Sequence, residues 1–223
     1  MKLDQWATSL IKNFYNQWES KYKWKKGFKI FYGPVRKNPN LMILSYNPGG
    51  GIDNFTREDH HRYEAGDFSP PKINSYIVRK NHMAKRMQDF FSGNEKMLKE
   101  SVILPVLFFR SKNKKEWRES FPKEKRIKAE KLCFSLLDEI ITKINPEKFL
   151  IMGIDTFETL ENNFFGKLPI DEVFHSQYGE KRERLYIKSH WNGKPIFVIR
   201  HPTGSRISIK DWEKAKKHFF KIS

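Results

Sequence analysis

The sequence predicts an α/β protein, a three-layer α/β/α sandwich on a mainly parallel central sheet, from three observations. Short continuous apolar runs, as in strands buried on both faces, occur at 41–46 (LMILSY), 102–109 (VILPVLFF) and 149–153 (FLIMG). Longer segments between them carry apolar residues three and four apart, the period of amphipathic helices. Glycine or proline follows several of the runs, so the ladder stops and opens into a loop at the strand end, where open α/β sheets place ligands.

Residues 3–26 open the chain as a helix, with Leu3, Trp6, Leu10, Ile11, Phe14, Tyr15, Trp18 and Tyr22 on one side. FKIFYG at 28–33 has the composition of a short strand, and the run at 41–46 is a buried strand that ends at Asn47-Pro48-Gly49-Gly50-Gly51. Residues 52–75 are polar and irregular, a long loop of the kind that carries function. A helix is expected over 76–100, with Ile77, Met83, Met87, Phe90 and Phe91 inward. In the strand at 102–109, Pro105 demands an edge, a bulge or a strand start. A basic loop follows to about 125, then a helix over 124–144 with Ala129, Leu132, Cys133, Leu136, Leu137, Ile140 and Ile141 inward. FLIMG leads into a short helix, and Asn192-Gly193 joins two strands of a hairpin. The last helix starts near Ile209, with acidic residues first and lysines last, as the helix dipole favours.

The chain has 223 residues, a length suited to one domain with a full core, and it shows no repeat or linker; the first 26 or so form a helical extension of that domain. One cysteine, Cys133, excludes an intrachain disulfide, a cysteine-based zinc site and an iron–sulfur cluster held by this chain alone. Asp4, Gln5 and Asn13 interrupt the start where a secretory signal would be apolar, and no run has the length of a membrane span, so a soluble cytoplasmic protein is expected. Lys and Arg number 43 against 26 Asp and Glu, a net charge of +17. On a folded domain such an excess points to a polyanion, above all nucleic acid, because cations that neutralise phosphates release condensed counterions. A merely solvated lysine-rich surface is the competing explanation.

Three loops follow predicted strands: NPGGG, FRSKN and HPTGSR. In a parallel sheet all three meet at the carboxyl edge. NPGGG lacks the lysine and hydroxyl residue that close a phosphate-binding P-loop. His201 alone is better explained as a packed or capping histidine than as a catalytic one, although histidine suits proton chemistry near neutral pH.

A strand ending in NPG at 41–49 and a strand ending in HPTGSR at 196–206 together resemble the uracil-DNA glycosylase superfamily. FLIMGIDTFETL at 149–160 is similar to that family's strand–glycine–helix segment, and Phe68-Ser69-Pro70-Pro71 to its aromatic-then-proline loop. The resemblance implies a DNA glycosylase that acts on a flipped base. Asn47 would orient the attacking water, with Asp53 or Asp67 as the alternative activating group, and His201 would stabilise the departing base anion. Tyr46, Pro48, Gly49, Phe55, Phe68 and Pro105 would form the base pocket, Phe55 or Phe68 stacking on the base. Ser69, Pro70, Arg110, Lys112, Thr203, Gly204, Ser205 and Arg206 would contact DNA, with Arg206 or Ser205 as the wedge that fills the gap.

The sequence departs from the family at two places. Ser45-Tyr46 replaces a glycine-led start, and Leu104-Pro105 stands where an asparagine reads the uracil edge. Proline offers no side-chain hydrogen bond, so the expected target is a damaged or modified pyrimidine rather than plain uracil. The partner is single- or double-stranded DNA, the chain a monomer, and no cofactor or metal is implied. The alternative is a non-catalytic nucleic-acid-binding module. A metal-dependent nuclease built on Asp53, Asp59, Asp67, His60 and His61 lacks a ligand spacing. The basic stretch 110–128, with Trp117 and Phe121, suits a phosphate-tracking surface with stacking platforms, or else an ordinary exposed loop.

Overall fold

The computed structural model describes residues 1–50, 52–176, 183–203 and 207–221. It is an α/β structure with a mostly parallel six-stranded sheet of order β2-β1-β3-β6-β5-β4. The strands are β1 Met42–Ser45, β2 Val102–Pro105, β3 Phe149–Met152, β4 Ile170–His175, β5 Arg184–Trp191 and β6 Lys194–Ile199. β2, β1, β3 and β6 run parallel, while β5 and β4 add antiparallel through the predicted hairpin at Asn192-Gly193. From β1 the chain goes to one neighbour, β2, and then crosses to the other, β3, so the strand order reverses beside the end of β1.

The helices are α1 Leu3–Gln17, α2 Ile52–Phe55, α3 His61–Glu64, α4 Ser75–Val78, α5 His82–Phe90, α6 Glu95–Glu100, α7 Lys114–Ser120, α8 Lys123–Ile144, α9 Ile154–Leu160 and α10 Ile209–Phe220. Alternate strand residues feed two separate cores, as the two-residue period requires. Met42, Leu44, Phe149 and Ile151 pack with residues of α1, α8 and α9, whereas Ile43, Leu150 and Met152 pack with α5 and α10. α1 is built into the first core, with Trp6 Nε1 donating to Glu139 of α8 at 2.8 Å, rather than appended to it.

Several expectations change. The run at 28–33 is not a strand: Phe28 makes one isolated bridge to Phe109, and Lys29 and Tyr32 donate singly to Phe108 and Ile103. Residues 52–64 are helical rather than a loop, passing from α2 through a π turn at Thr56–His60 into α3. The helix expected over 76–100 is three short ones, broken at the extended Arg79 and at Gly93 (φ 82°), and Ile77 is exposed. The basic stretch after Arg110 contains α7, capped by Asn113 Oδ1 on the Glu116 amide. β4 is an element that the sequence pattern did not reveal. Pro105 ends the edge strand β2, where its missing N–H breaks no ladder.

Candidate active site

Beyond the end of β1 the backbone stays clipped to the segment that follows β2. Val106, Leu107 and Ser111 donate their amides to the carbonyls of Ser45, Tyr46 and Pro48. This pins Asn47 at the carboxyl edge. Its amide nitrogen donates to the Ser111 carbonyl (2.7 Å), the Ser111 hydroxyl (2.9 Å) and the Pro48 carbonyl (3.0 Å). With every amide proton directed at protein oxygens, Oδ1 is what Asn47 can offer a ligand, and it is an acceptor.

β6 ends at Ile199, and His201 follows it, half-buried. Nδ1 of His201 receives the backbone N–H of Thr203 at 3.3 Å and lies 3.4 Å from the Thr203 hydroxyl. A backbone N–H can only donate, so Nδ1 is unprotonated and the ring proton sits on Nε2. Burial pushes the His201 pKa below its ordinary value, which keeps this neutral tautomer. Between the two, Gly153 follows β3 at φ 104° and caps α9. A Cβ at Gly153 would lie 3.0 Å from Thr156 Oγ1 and 3.8 Å from the His201 Cβ, so the glycine admits both conformation and neighbour.

Asn47, Gly153 and His201 line one cleft of about 960 Å³ at the carboxyl edge, together with Tyr46, Thr156, Thr203 and residues 112–114. The predicted convergence of the three strand-end loops is thus what the structure has, at the point where the strand order reverses. Lys112, Lys114, Arg184 and Arg200 on its wall outnumber Asp155 and Glu183. Arg200 pairs with Glu183 at 2.5 Å and Arg184 with Glu158 at 2.6 Å. Lys112 and Lys114 then face Asp155 alone, which leaves the wall with a small excess of positive charge.

Of the residues expected at the site, Tyr46, Asn47, Lys112, His201 and Thr203 line this cleft. Pro48 and Gly49 form the turn behind Asn47, their carbonyls taken by Ser111 and Arg110. Others lie elsewhere. Asp53 is exposed on α2, away from the cleft. Phe55 and Phe68, 3% and 7% exposed, are packed among Phe28 and Tyr63 and present no stacking face. Pro105 is buried at the end of β2. Trp117 and Phe121 are core residues packed edge-on against Trp24, not platforms.

Arg110 is 2% exposed and cannot reach DNA; it donates to the Gly49 carbonyl (3.0 Å), Glu58 (2.8 Å) and Asp59 (3.1 Å). Asp59 is buried against it and against Lys29 at 3.0 Å, so it serves this ion cluster. Ser69 and Asp67 bond to each other and to Arg62, which closes a local turn and holds the Asp67 carboxyl well below the usual range. Pro70 is buried beside that turn. Gly51, Gly204, Ser205 and Arg206 lie outside the described residues. Sequence reasoning did not assign a role to Ser111, Thr156, His175, Arg184 or Arg200; for Ser111 the available clue was its place in the loop after the second strand.

No family model matches the chain, and no curated protein matches it.

Proposed function

We propose that this chain is a DNA glycosylase that hydrolyses the N-glycosidic bond of a flipped, uracil-like, damaged or modified pyrimidine, on a three-layer α/β/α sandwich and as a monomer. The observation that carries it is the single cleft in which an acceptor locked after β1 and a neutral histidine after β6 flank the same space. As the bond from the sugar C1′ to the base nitrogen breaks, its electron pair goes to the base and positive charge grows on the sugar. Oδ1 of Asn47 accepts a hydrogen bond from the water whose oxygen adds to C1′. A neutral amide takes no proton, so the water's proton leaves to solvent or to the departing base. Nε2–H of His201 donates to an oxygen of the base and stabilises its anion, an electrostatic contribution of about 3–4 kcal/mol in comparable anion holes. This chemistry uses a positioned water and one donor, and calls for no cofactor. The basic rim draws in the strand.

A second reading, a nucleic-acid-binding module without catalysis, is favoured by Pro105 alone, which supplies no donor or acceptor side chain at the end of β2. Excision from single- and double-stranded oligonucleotides carrying uracil, mismatched thymine, hypoxanthine and 5-substituted cytosines, followed by alkali, separates the two. Strand scission at one base, abolished in Asn47→Ala and His201→Ala with DNA affinity kept, is the expected result. Salt-sensitive binding with no scission on any substrate would replace the enzyme by the binding module.

A further inference from the structure

A second cavity of about 280 Å³ opens beside the cleft and shares Tyr46 and Lys114 with it. Its wall adds Arg118 of α7 with Arg126 and Glu130 of α8. The carboxylates there are already engaged. Glu130 accepts Trp117 Nε1 at 2.7 Å and lies 3.8 Å from Arg126, while Glu158 holds Arg184 at 2.6 Å. The cations are less so. Among the described residues Lys114 reaches only the Thr159 hydroxyl at 3.4 Å and the face of the Tyr46 ring at 5.3 Å. Lys115 pairs within its own helix, but among the described residues Arg118 has no ion pair. The Arg118 carbonyl accepts Arg126 Nη1 at 2.7 Å, which sets the two arginines side by side. The Tyr46 hydroxyl has no hydrogen-bond partner among the described residues. Burial raises its pKa to about 12, with Glu130 adding to the rise and Arg118 and Arg126 opposing it, so the hydroxyl is a neutral donor.

We infer that this chamber is an oxyanion subsite, in which Lys114, Arg118, Arg126 and the Tyr46 hydroxyl hold an anionic group of the nucleic-acid strand seated in the cleft. The inference rests on the nucleic-acid reading of that cleft. Lys114 and Arg118 have no carboxylate partner among the described residues and the Tyr46 hydroxyl no acceptor there, while Arg126 is held by the Arg118 carbonyl and Glu130 at the same wall; such donors match an oxyanion with several lone pairs, and arginine forks suit phosphate or carboxylate. An unsubstituted ring edge would offer these donors no acceptor. The oxyanion is a backbone phosphate beside the flipped nucleotide or a carboxylate carried by the base itself.

Inorganic pyrophosphate, titrated into the full chain and followed by NMR, tests the subsite without any need for excision. Shifts are expected at Tyr46 and Arg118, and Lys114→Gln/Arg118→Gln should weaken binding at least about tenfold. The charge-matched Lys210→Gln/Lys217→Gln on α10 should change it by less than about threefold, and Tyr46→Phe, which keeps the ring, should weaken it by about threefold. Equal weakening in both double variants, or no shift at Tyr46, overturns the inference. Pyrophosphate bound at Tyr46 in a chain that neither excises a base nor binds DNA refutes the function proposed above and leaves the anion site standing. Oligonucleotides then identify the source. A preference for 5-carboxycytosine over 5-methylcytosine that vanishes in Lys114→Gln/Arg118→Gln assigns the oxyanion to the base. Equal affinity for the two, lowered alike by that variant, assigns it to the backbone.

Discussion

The amide nitrogen of Asn47 donates twice to Ser111, to its carbonyl oxygen at 2.7 Å and its hydroxyl oxygen at 2.9 Å. This joins the loop after the central strand β1 to the segment after the edge strand β2. The rotamer of Asn47 is thereby set before any ligand arrives, and its Oδ1 needs no reorganisation to receive a water.

Under the proposed function, Asn47→Ala lowers single-turnover excision by about 10²-fold or more, the usual worth of a positioned catalytic group. Ser111→Ala keeps the backbone acceptor and loses the hydroxyl, so its loss should be nearer tenfold, about 1.4 kcal/mol. DNA affinity measured by anisotropy should stay within about threefold in both. A Ser111→Ala loss as large as that of Asn47→Ala would mean that the hydroxyl itself contacts substrate.

Under the proposed function, His201 sets the acid limb of the pH profile. Its neutral form keeps Nδ1 as acceptor for the Thr203 N–H at 3.3 Å, and burial lowers its pKa. Protonation places a proton on Nδ1 against that N–H and is disfavoured in the folded site. Excision should therefore be level at neutral and alkaline pH and fall on acidification, with a midpoint below the ordinary histidine value of about 6.5. The linked stability has the same sign: it is whole above that ordinary value and is lost as pH drops through the lowered folded pKa. NMR titration of the His201 ring and a pH–rate profile check both. Activity that rose with protonation would make the imidazolium the working form and reverse the assignment.

What the sequence made legible depended on whether local residues sufficed to explain an element. β1 and β3 stood out because every residue in MILS and FLIM is buried, and the Asn192-Gly193 turn announced its hairpin, both residues having positive φ. That Asn47 and His201 lie at the carboxyl edge followed from their places after strands; their proposed roles came from the resemblance of the two motifs. The helical stretch 52–64 was hidden because its inward residues are Phe55, Asp59 and Tyr63. Four-residue spacing with a carboxylate in the middle does not look like a buried face. Asp59 is buried only because Lys29 and Arg110, distant in the chain, meet it there. Trp117 and Phe121 were obscured in the same way by the lysines around them. β4 presents mostly exposed or half-exposed residues and so carries almost no apolar signal. The Ser111 contact requires β1 and β2 to be neighbours, which no local pattern states.

Arg110 is the residue on which stability should depend most sharply. It holds Glu58 and the buried Asp59, and its bond to the Gly49 carbonyl ties that cluster to the loop behind Asn47. Arg110→Ala leaves a buried carboxylate with Lys29 alone and should cost about 3–5 kcal/mol. Arg118→Ala, on an exposed residue of α7, should stay within about 0.5 kcal/mol. Urea denaturation gives both values. Similar small losses for the two would show that Asp59 is satisfied by Lys29 alone.

Salt dependence separates the cleft cations from the rest of the basic surface. Lys112 is exposed on the cleft wall; its backbone N–H donates to Glu116 at 2.6 Å, but its ammonium makes no ion pair among the described residues, whereas Arg200 is held by Glu183 at 2.5 Å. A phosphate contact by Lys112 releases counterion on binding, so Lys112→Ala should flatten the slope of log K against log salt by about 0.7–0.9. Arg200→Ala breaks an existing pair and frees Glu183, so it should weaken binding through added negative charge while its slope changes differently from that of Lys112→Ala. The comparison must be made on one oligonucleotide across a salt series, since a single affinity mixes the two effects. Lys217→Ala on α10 removes the same charge at a distance from the cleft. If it flattened the slope as much as Lys112→Ala, the strand would be following the general basic surface, and the cleft would lose its claim as the place where DNA is held.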